Sequence, residues 1–413
     1  DDRLNVNKFH QFNKAFFEDP EKFVVLRAFS ESPTYTAMRA PCLLTGNVPE
    51  RAHVMTSFGA LVLQEDNIPR QIKTHHRKSY FYGDPVILQF FSEYFDDSYG
   101  VRGWDLRNEH VDAVPHELTK KRIAENEFDL LITHLLQLDH MAHAYDLYHP
   151  AIPEAIENVD DLLTEIMNTI DDDTILIFGG DHGMTTTGDH GGGSIDETST
   201  ALVAYHKKGF MKYKHKNPLL NKIMRSVNET EDQGKQANLV PTLAMLLGIP
   251  IPFSSMGQML NDFYPNGDFY KTSSSLPENC PEETAFVTQL LRDNHLNTLQ
   301  IVNYFTKFQK EQHLVSKGEY NHIVKLSQDI EVAYKTAQDM LDKPEQCTQA
   351  FTEATVNAIL LSQDFALQVF KLVNENAPFE MTIYAQGVLL LVLIAIAYAL
   401  IIQYLHLTKD YEY

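Results

Sequence analysis

The feature that most constrains this chain is a glycine-rich stretch with two Asp-His pairs behind an apolar segment. Residues 174–178 read as a buried strand, and FGGDHGMTTTGDHGGGS follows over 178–194. A solvated loop also collects Gly, Asp and Thr. However, α/β sheets build their sites at the carboxyl ends of such strands, and Asp and His are ligands that zinc accepts. The stretch therefore favours a metal site at Asp181, His182 and His190 over a loop.

Strand-like and helical stretches alternate from the start of the chain to about residue 270. This alternation predicts an α/β fold, a mostly parallel sheet flanked by helices, for a domain over residues 1–270. Pro241–Pro252 predicts a short helix that is closed by Gly248 and a proline turn. The strand candidates are Lys22–Phe29, Ser79–Tyr82, Phe128–Leu138, Thr174–Phe178 and Ala201–Tyr205.

The pattern changes in the last third of the chain. The Ser- and Pro-rich stretch Lys271–Glu283 predicts a linker, and a helical segment then extends to about residue 380. Ala385–Ile402 holds no charged residue, which predicts a transmembrane helix within residues 381–407, followed by a tail at 408–413. An apolar stripe predicts that the helical segment is a hairpin or small bundle. Its members are Ile323, Leu326, Ile330, Ala333, Ala337 and Leu341.

Charge and cysteine content narrow the function classes. The net charge of −22 argues against nucleic-acid binding, because phosphate backbones attract a basic surface. Three cysteines are too few for a disulfide scaffold; Cys280 and Cys347 could pair in an oxidising compartment, whereas Cys42 is expected to be a buried thiol. Asn228 opens a glycosylation sequon. The polar start of the chain is not a signal peptide, and we expect the chain to begin inside a longer protein.

A second Asp/His pair follows another apolar run. Asp139 and His143 are four residues apart at the end of the strand candidate 128–138, so one helical turn would place both on the same side. The adjacent His140 diverges from them on a helix, and we interpret it as a supporting or structural residue. A lone His near an apolar strand is usually a core residue, but a second cluster at a second strand end favours ligands.

A hydroxyl-rich turn supplies a candidate nucleophile. SPTYTAMR, residues 32–39, lies between the first strand candidate and a helix predicted from Ala37 to about Leu44. Such a turn is usually a helix cap, but beside a two-metal site a metal can activate Thr36 as it activates water. Arg39 could pair with a phosphoryl oxygen or with surface carboxylates. Carboxylate and imidazole ligands suit zinc, and two metals about 4 Å apart would clamp the oxygens of a phosphoryl transfer.

These motifs, taken in order, resemble the alkaline phosphatase superfamily. More closely, YFYGD, GDHGMTTTGDHGG and LVPTLAMLLGIPIPFSSMGQ resemble the GPI ethanolamine phosphate transferases of the endoplasmic reticulum. The resemblance covers the chain from about Phe23 to the predicted span. Gln236–Gln258 and the following helical region are most like the third transferase, which modifies the third mannose, and the second transferase is a near relative.

The resemblance implies a role for each candidate residue. It implies that Thr36 is the nucleophile, held at one zinc with Asp181 and His182. The ligands that it implies for a second zinc are Asp139, His143 and His190. The family moves phosphoethanolamine from phosphatidylethanolamine onto the threonine and then onto a mannose hydroxyl of the GPI precursor. It thus implies lipid substrates, a lumenal catalytic domain at the endoplasmic reticulum membrane, and a small membrane partner subunit.

Two departures from the family pattern leave other functions open. The family carries a further zinc-binding Asp after its first strand, but Asp1 and Asp2 follow no apolar strand, so we expect that strand to lie upstream. Ala142 replaces a glycine, and residues 146–149 replace a His-rich turn. A phosphodiesterase of the same superfamily would share the ligands and release its product to water. A catalytically inactive relative would serve as a structural subunit of a membrane complex.

Overall fold

The fold is built from two small β-sheets with helices packed on their faces. The computed structural model describes residues 8–47, 65–102, 105–210, 217–224, 234–266, 282–312, 315–341, 348–376, 389–394, 396 and 398. Several predictions concern residues outside these ranges and stay predictions: Asp1, Asp2, Asn228, Cys280 and Cys347. Cys42 is a free, buried thiol, as expected.

Strands and helices alternate through the first two thirds of the described chain. The strands are β1 (Phe23–Phe29), β2 (Ser79–Gly83), β3 (Asp97–Gly100), β4 (Leu130–Thr133), β5 (Leu176–Gly179), β6 (Ser199–Tyr205) and β7 (Gly234–Lys235). The first nine α-helices of the described residues are α1 (His10–Glu18), α2 (Thr36–Thr45), α3 (Ile68–Thr74), α4 (Pro85–Phe91), α5 (Ala113–Glu125), α6 (Gln137–Tyr145), α7 (Ala151–Thr169), α8 (Ile195–Thr198) and α9 (Leu239–Leu247). Three longer helices follow: α10 (Glu282–Gln312), α11 (Lys317–Leu341) and α12 (Gln349–Asn376).

The strand β6 runs against its neighbours in an otherwise parallel arrangement. In the first sheet, ordered β5-β6-β1-β7, β6 pairs antiparallel with β5 and β1, while β7 pairs parallel with β1. In the second sheet, ordered β3-β2-β4, both pairings are parallel. The predicted α/β class is confirmed, with one mixed sheet and one parallel sheet. An apolar run does not encode strand direction, so the sequence could not single out β6.

An apolar cluster packs on each face of the first sheet. Phe23 and Val203 belong to a cluster formed with residues of α1, α5 and α7. Val24 and Leu26 lie in a second cluster, which includes Leu260. Val24, Leu26 and Ala28 are buried on one face of β1, whereas on the face that carries Phe23 the side chain of Val25 is 42% exposed.

The run predicted as one strand over residues 128–138 is a strand followed by a helix. β4 ends at Thr133, and α6 begins at Gln137. The Asp112 carboxylate accepts hydrogen bonds from the backbone N–H groups of Leu136 and Gln137, at 2.8 to 3.1 Å, and so satisfies donors at the start of the helix. The early turn places Asp139 in the first turn of α6.

The last three described long helices form the predicted bundle. Phe305 of α10, Ile323 and Ile330 of α11, and Phe365 of α12 share one apolar cluster. Met256, from the loop after α9, belongs to the same cluster, so the bundle packs directly against the α/β domain. The apolar stripe of α11 is packing surface, as its spacing predicted.

One described helix is long and apolar enough to cross a membrane. It covers Gln349–Glu375, and half of its apolar window is buried inside the protein, as in a core helix. Within the predicted span Ala385–Ile402, the described residues 389–394 are helical and expose apolar side chains. The other residues of the predicted transmembrane segment 381–407, apart from 396 and 398, lie outside the described residues, so the transmembrane assignment stays a prediction.

Candidate metal centre

Thr36 begins a helix directly beside the stretch that carries the Asp-His pairs. Its Oγ1 lies 3.3 Å from His182 Nε2. Thr36 is the first residue of the ten-residue helix α2, whose N-terminus favours negative charge. The structure therefore brings the predicted nucleophile into contact with a predicted ligand across 146 positions of sequence.

Asp181 and His182 follow β5 and present their polar atoms toward Thr36. Asp181 Oδ2 lies 3.6 Å from His182 Nε2 and 3.7 Å from His134 Nε2. His182 Nδ1 donates to the carbonyl of Gly183 at 3.0 Å. Because a carbonyl only accepts, this bond fixes the proton on Nδ1 and leaves the Nε2 lone pair directed into the site.

Asp139, His143 and His190 form the adjoining half of the cluster. Asp139 Oδ2 lies 3.5 Å from His143 Nε2, and Asp139 Oδ1 lies 3.5 Å from His190 Nε2. His190 Nδ1 donates to the carbonyl of Thr34 at 2.7 Å, so its Nε2 lone pair also faces the site. The rings of His182 and His190 stack with centroids 3.8 Å apart, which joins the two halves.

The spacing and burial of these atoms fit zinc. Distances of 3.5 to 3.6 Å between the candidate ligand atoms are too long for good hydrogen bonds. They are close to the separation of about 3.3 Å between two ligand atoms of one tetrahedral zinc with bonds of about 2.0–2.1 Å. Within the described chain, Asp139 Oδ1 and Asp181 Oδ2 are buried without a hydrogen-bond partner. The ligand atoms of Asp139, His182 and His190 all lie within 4.8 Å of one another.

The charges of the cluster depend on one another. Burial would raise the pKa of the Asp181 carboxyl, but His134, His182 and Thr36 hold it below its usual range. Burial would lower the pKa of His134, but Asp181 and Asp84 raise it to about 9. The pKa of Asp84 itself is raised by burial. His134 therefore carries a positive charge beside Asp181 at neutral pH.

Sequence reasoning missed two residues that shape the centre. His134 directly follows β4, and this position at the end of a third strand could have identified it as a candidate site residue. Thr34 is fully buried; its Oγ1 accepts from the Gly191 N–H at 2.8 Å and donates to the Gly192 carbonyl at 3.1 Å. Together with the bond from His190, these contacts fasten the glycine-rich stretch to the turn that carries the nucleophile.

Gly191 shows why glycine is needed in this stretch. Its φ of 112° is disfavoured for other residues, and a Cβ there would collide with the ring of Tyr35. Tyr35 is 48% exposed, and its ring lies 5.9 Å from that of His190. The close approach lets the stretch pack against the residue that precedes Thr36.

Arg39, a predicted substrate contact, and His140, interpreted from the sequence as a supporting or structural residue, are both buried. Arg39 is fully buried, and its guanidinium donates to the backbone and carboxylate of Glu31 and to Gln236 Oε1. The structure therefore corrects the expected contact with substrate or surface carboxylates, because every one of these partners is internal. His140 is buried, and burial lowers its pKa.

The comparisons with known proteins agree with the predicted resemblance to the alkaline phosphatase superfamily. Residues 71–238 match the family model described as type I phosphodiesterase / nucleotide pyrophosphatase. Among solved structures, an alkaline phosphatase superfamily protein of Vibrio parahaemolyticus aligns with a TM-score of 0.40 and 14% identity over 64% of this chain and 67% of that chain. The lipoteichoic acid synthase LtaP of Listeria monocytogenes aligns with a TM-score of 0.38 and 14% identity, over 60% of this chain and 68% of that chain.

The predicted resemblance to the GPI ethanolamine phosphate transferases is confirmed. The catalytic subunit of the human GPI ethanolamine phosphate transferase 3 is 30% identical over 73% of this chain and 28% of its own length. The mouse protein of the same name is 28% identical over 80% of this chain and 30% of its own length. GPI ethanolamine phosphate transferase 2 of Schizosaccharomyces pombe is 28% identical over 71% of this chain and 40% of its length. The chain thus spans less than a third of the length of the human and mouse relatives.

Proposed function

We propose that this protein transfers phosphoethanolamine from phosphatidylethanolamine to a mannose of the GPI anchor precursor through a threonine-linked intermediate. The observation that carries the proposal is the position of Thr36 Oγ1, 3.3 Å from His182 Nε2 at the edge of the Asp/His cluster. Similarity to proteins named GPI ethanolamine phosphate transferase supports the substrate class. The third mannose is the proposed acceptor.

Thr36 would act in two displacement steps. In the first, its Oγ1 forms a bond to the phosphorus of phosphatidylethanolamine, the bond from phosphorus to the diacylglycerol oxygen breaks, and the threonine proton ends on that oxygen. In the second, a mannose oxygen bonds to the same phosphorus, the bond to Thr36 breaks, and the mannose proton returns to Thr36. The sum transfers one phosphoethanolamine and one proton, without an oxidant or reductant.

The ligand groups at the centre would hold two zinc ions. Thr36, Asp181 and His182 would hold the first. The proposed ligands of the second are Asp139, His143 and His190. When bound, zinc supplies positive charge that lowers the pKa of a hydroxyl and balances the charge of the transferring phosphoryl group. His134, which is charged at neutral pH, would stabilise the charge of the Asp181 carboxylate, since its Nε2 lies 3.7 Å from Asp181 Oδ2.

The substrates also suggest where the protein acts. Donor and acceptor are both lipids, so the site must work at a bilayer surface, which agrees with the predicted span at residues 385–402. A lumenal catalytic domain at the endoplasmic reticulum membrane agrees with the predicted glycosylation of Asn228. The small membrane partner subunit is proposed from the family resemblance alone.

A labelling experiment tests the proposal. Purified protein is incubated with phosphatidylethanolamine labelled in its ethanolamine group, and protein-bound label is located by peptide mass spectrometry. We expect label on Thr36, release of the label when a mannosylated GPI precursor is added, and no label on Thr36→Ala. The matched control is Thr45→Ala, a buried threonine on the same helix, which should label normally. Efficient transfer by Thr36→Ala would refute the mechanism.

Hydrolysis is the second candidate function, because the matching family model is named for phosphodiesterases. A hydrolase would use the same ligands, and water would replace mannose in the second displacement. A soluble phosphodiester with a chromogenic leaving group separates the two functions. Rapid turnover of that compound without any GPI precursor would favour the hydrolase, whereas lipid-dependent transfer supports the transferase.

A further inference from the structure

Gln236 lies outside the ligand motifs, yet its side chain is bound to the segment that carries a ligand. It opens a short 3-10 turn after β7 and is 2% exposed. Its Nε2 donates to the backbone carbonyls of Gly180 at 3.0 Å and Asp181 at 2.6 Å. Its Oε1 accepts from Arg39 Nε at 3.2 Å. Both ends of the amide are therefore occupied by defined partners.

These bonds connect the two segments that meet at the candidate first zinc. Arg39 lies one turn after Thr36 on α2, and Asp181 follows β5. The buried guanidinium of Arg39 is itself held by Glu31, whose carboxylate also accepts from Lys235 Nζ at 3.1 Å. The amide of Gln236 thus connects the nucleophile helix to the backbone of Asp181 through a fixed guanidinium.

The backbone of Asp181 is restrained from a second direction. Ser30 Oγ donates to the same Asp181 carbonyl at 3.0 Å. Two side chains, from the ends of β1 and β7, therefore fix the peptide unit from which the Asp181 carboxylate projects. Metal ligands must be held to about 0.5 Å, and such supporting hydrogen bonds commonly change metal affinity by about 10- to 100-fold.

We infer that Gln236 is a positioning residue that sets the Asp181 carboxylate against Thr36 at the first zinc site. The inference rests on the zinc site of the proposed function, but it is judged by metal affinity as well as by transfer. The effect should be confined to one of the two ligand groups. The side chain of Gln236 donates hydrogen bonds to the segment that carries Asp181. Among the hydrogen bonds of the described residues, it makes none to Asp139, His143 or His190.

Gln236→Glu separates the two contacts of the amide. Glutamate has nearly the same shape and keeps an oxygen that can accept from Arg39. It loses the two N–H donors and instead places a carboxylate oxygen against the carbonyls of Gly180 and Asp181. The matched control is Gln258→Glu, because Gln258 is another buried amide that donates to a backbone carbonyl, that of Gln363 at 2.8 Å, without contacting a candidate ligand segment.

Zinc titration of the metal-free protein against a competing chelator is the test, with unfolding followed in parallel. We expect the wild type to bind two zinc equivalents. In Gln236→Glu, one of the two equivalents should bind about 10- to 100-fold more weakly. In Gln258→Glu, both equivalents should bind with wild-type affinity. Transfer should fall in Gln236→Glu and recover in part at saturating zinc. Ser30→Ala removes only one of the two donors to the Asp181 carbonyl and should weaken the same equivalent by a smaller factor.

The outcomes separate this inference from the proposed function. Wild-type affinity for both equivalents in Gln236→Glu would overturn the positioning role. Equal weakening of both equivalents, matched by Gln258→Glu, would also overturn it and show a general effect on the fold. Two zinc equivalents without any transfer by the wild type would refute the proposed function while the titration still decides the role of Gln236. A wild type without zinc would refute both.

Discussion

Asp181 and Asp293 are two carboxylates in protected places, and their surroundings differ in kind. In the bundle, Asp293 accepts from Gln289 Nε2 at 2.8 and 2.9 Å and from the Tyr264 hydroxyl at 2.5 Å. At the candidate centre, Asp181 Oδ2 instead faces the Nε2 atoms of His134 and His182 at 3.7 and 3.6 Å. One carboxylate is satisfied by hydrogen bonds, whereas the other is surrounded by groups that are close but not bonded to it.

The difference separates a structural polar group from a ligand. Burying a polar group is costly unless it is paired, so a completed set of bonds needs no further explanation. Converging carboxylates and imidazoles without hydrogen bonds among them need a further partner, and a cation satisfies both ligand types at once. The bundle should therefore respond to mutation through stability, and the centre through zinc and transfer.

The largest expected effect is that of Thr36→Ala at the centre. Removal of the nucleophile should lower transfer by at least about a thousandfold, as the loss of a nucleophile does in other covalent enzymes. The free energy of unfolding should hardly change, because Thr36 is only partly buried at the first position of α2 and alanine is compatible with a helix. Initial rates of lipid-to-lipid transfer, with Thr45→Ala measured in parallel, would check this. Comparable losses in both variants would point to damage of α2 and count against a chemical role.

The bundle should show the opposite response. Phe365 is fully buried in the cluster that joins α10, α11 and α12. Phe365→Ala should lower the free energy of unfolding by about 3–5 kcal/mol, because it removes a large side chain and leaves a cavity. Zinc content and the rate of transfer per folded molecule should stay at wild-type values. Denaturant unfolding and metal analysis of the same preparation would measure both, and loss of zinc would show that the two regions are coupled.

Two histidines allow the same comparison within one residue type. His190 faces Asp139, whereas His295 of α10 bonds to Glu331 at 2.9 Å and stacks on Tyr334. His190→Ala should lower transfer by about a hundredfold or more, because it removes a zinc ligand. His295→Ala should change transfer by less than about twofold, since its bonds are confined to the bundle. Equal effects of the two substitutions would contradict the assignment of His190.

The smallest expected effect concerns pH. Burial raises the pKa of the Asp293 carboxyl above its usual value. At a pH between the usual pKa and the raised pKa of Asp293, this carboxyl has lost its proton in the unfolded chain but keeps it in the folded protein. The free energy of unfolding that this group contributes therefore falls as pH rises through that window. Asp293→Asn should remove that part of the slope. Urea unfolding of both proteins upward from about pH 4 would show it, and a stability difference that grows in favour of wild type with rising pH would contradict the sign.

Sequence alone could predict the parts of the centre that follow from local pattern. Asp181, His182, Asp139 and His143 follow apolar runs, and Thr36 lies at a strand-to-helix turn, so each could be placed at a sheet edge. The class of fold followed from the alternation of strands and helices.

The remaining features depend on tertiary contacts that no local pattern encodes. Arg39 was expected to pair with a phosphoryl oxygen or with surface carboxylates, but its partners, Glu31 and Gln236, meet it only in the folded protein. His134 resembles any histidine near an apolar strand until Asp181 is seen beside it. The direction of β6 likewise follows from its pairing with β1 and β5.

The most direct test of the account is the zinc content of the purified protein, measured by elemental analysis beside Asp181→Asn and Asp293→Asn. We expect about two zinc ions in the wild type and in Asp293→Asn, and about one in Asp181→Asn. Equal zinc content in all three folded proteins would contradict the assignment of Asp181, and a folded wild type that binds no zinc would contradict the metal centre as a whole.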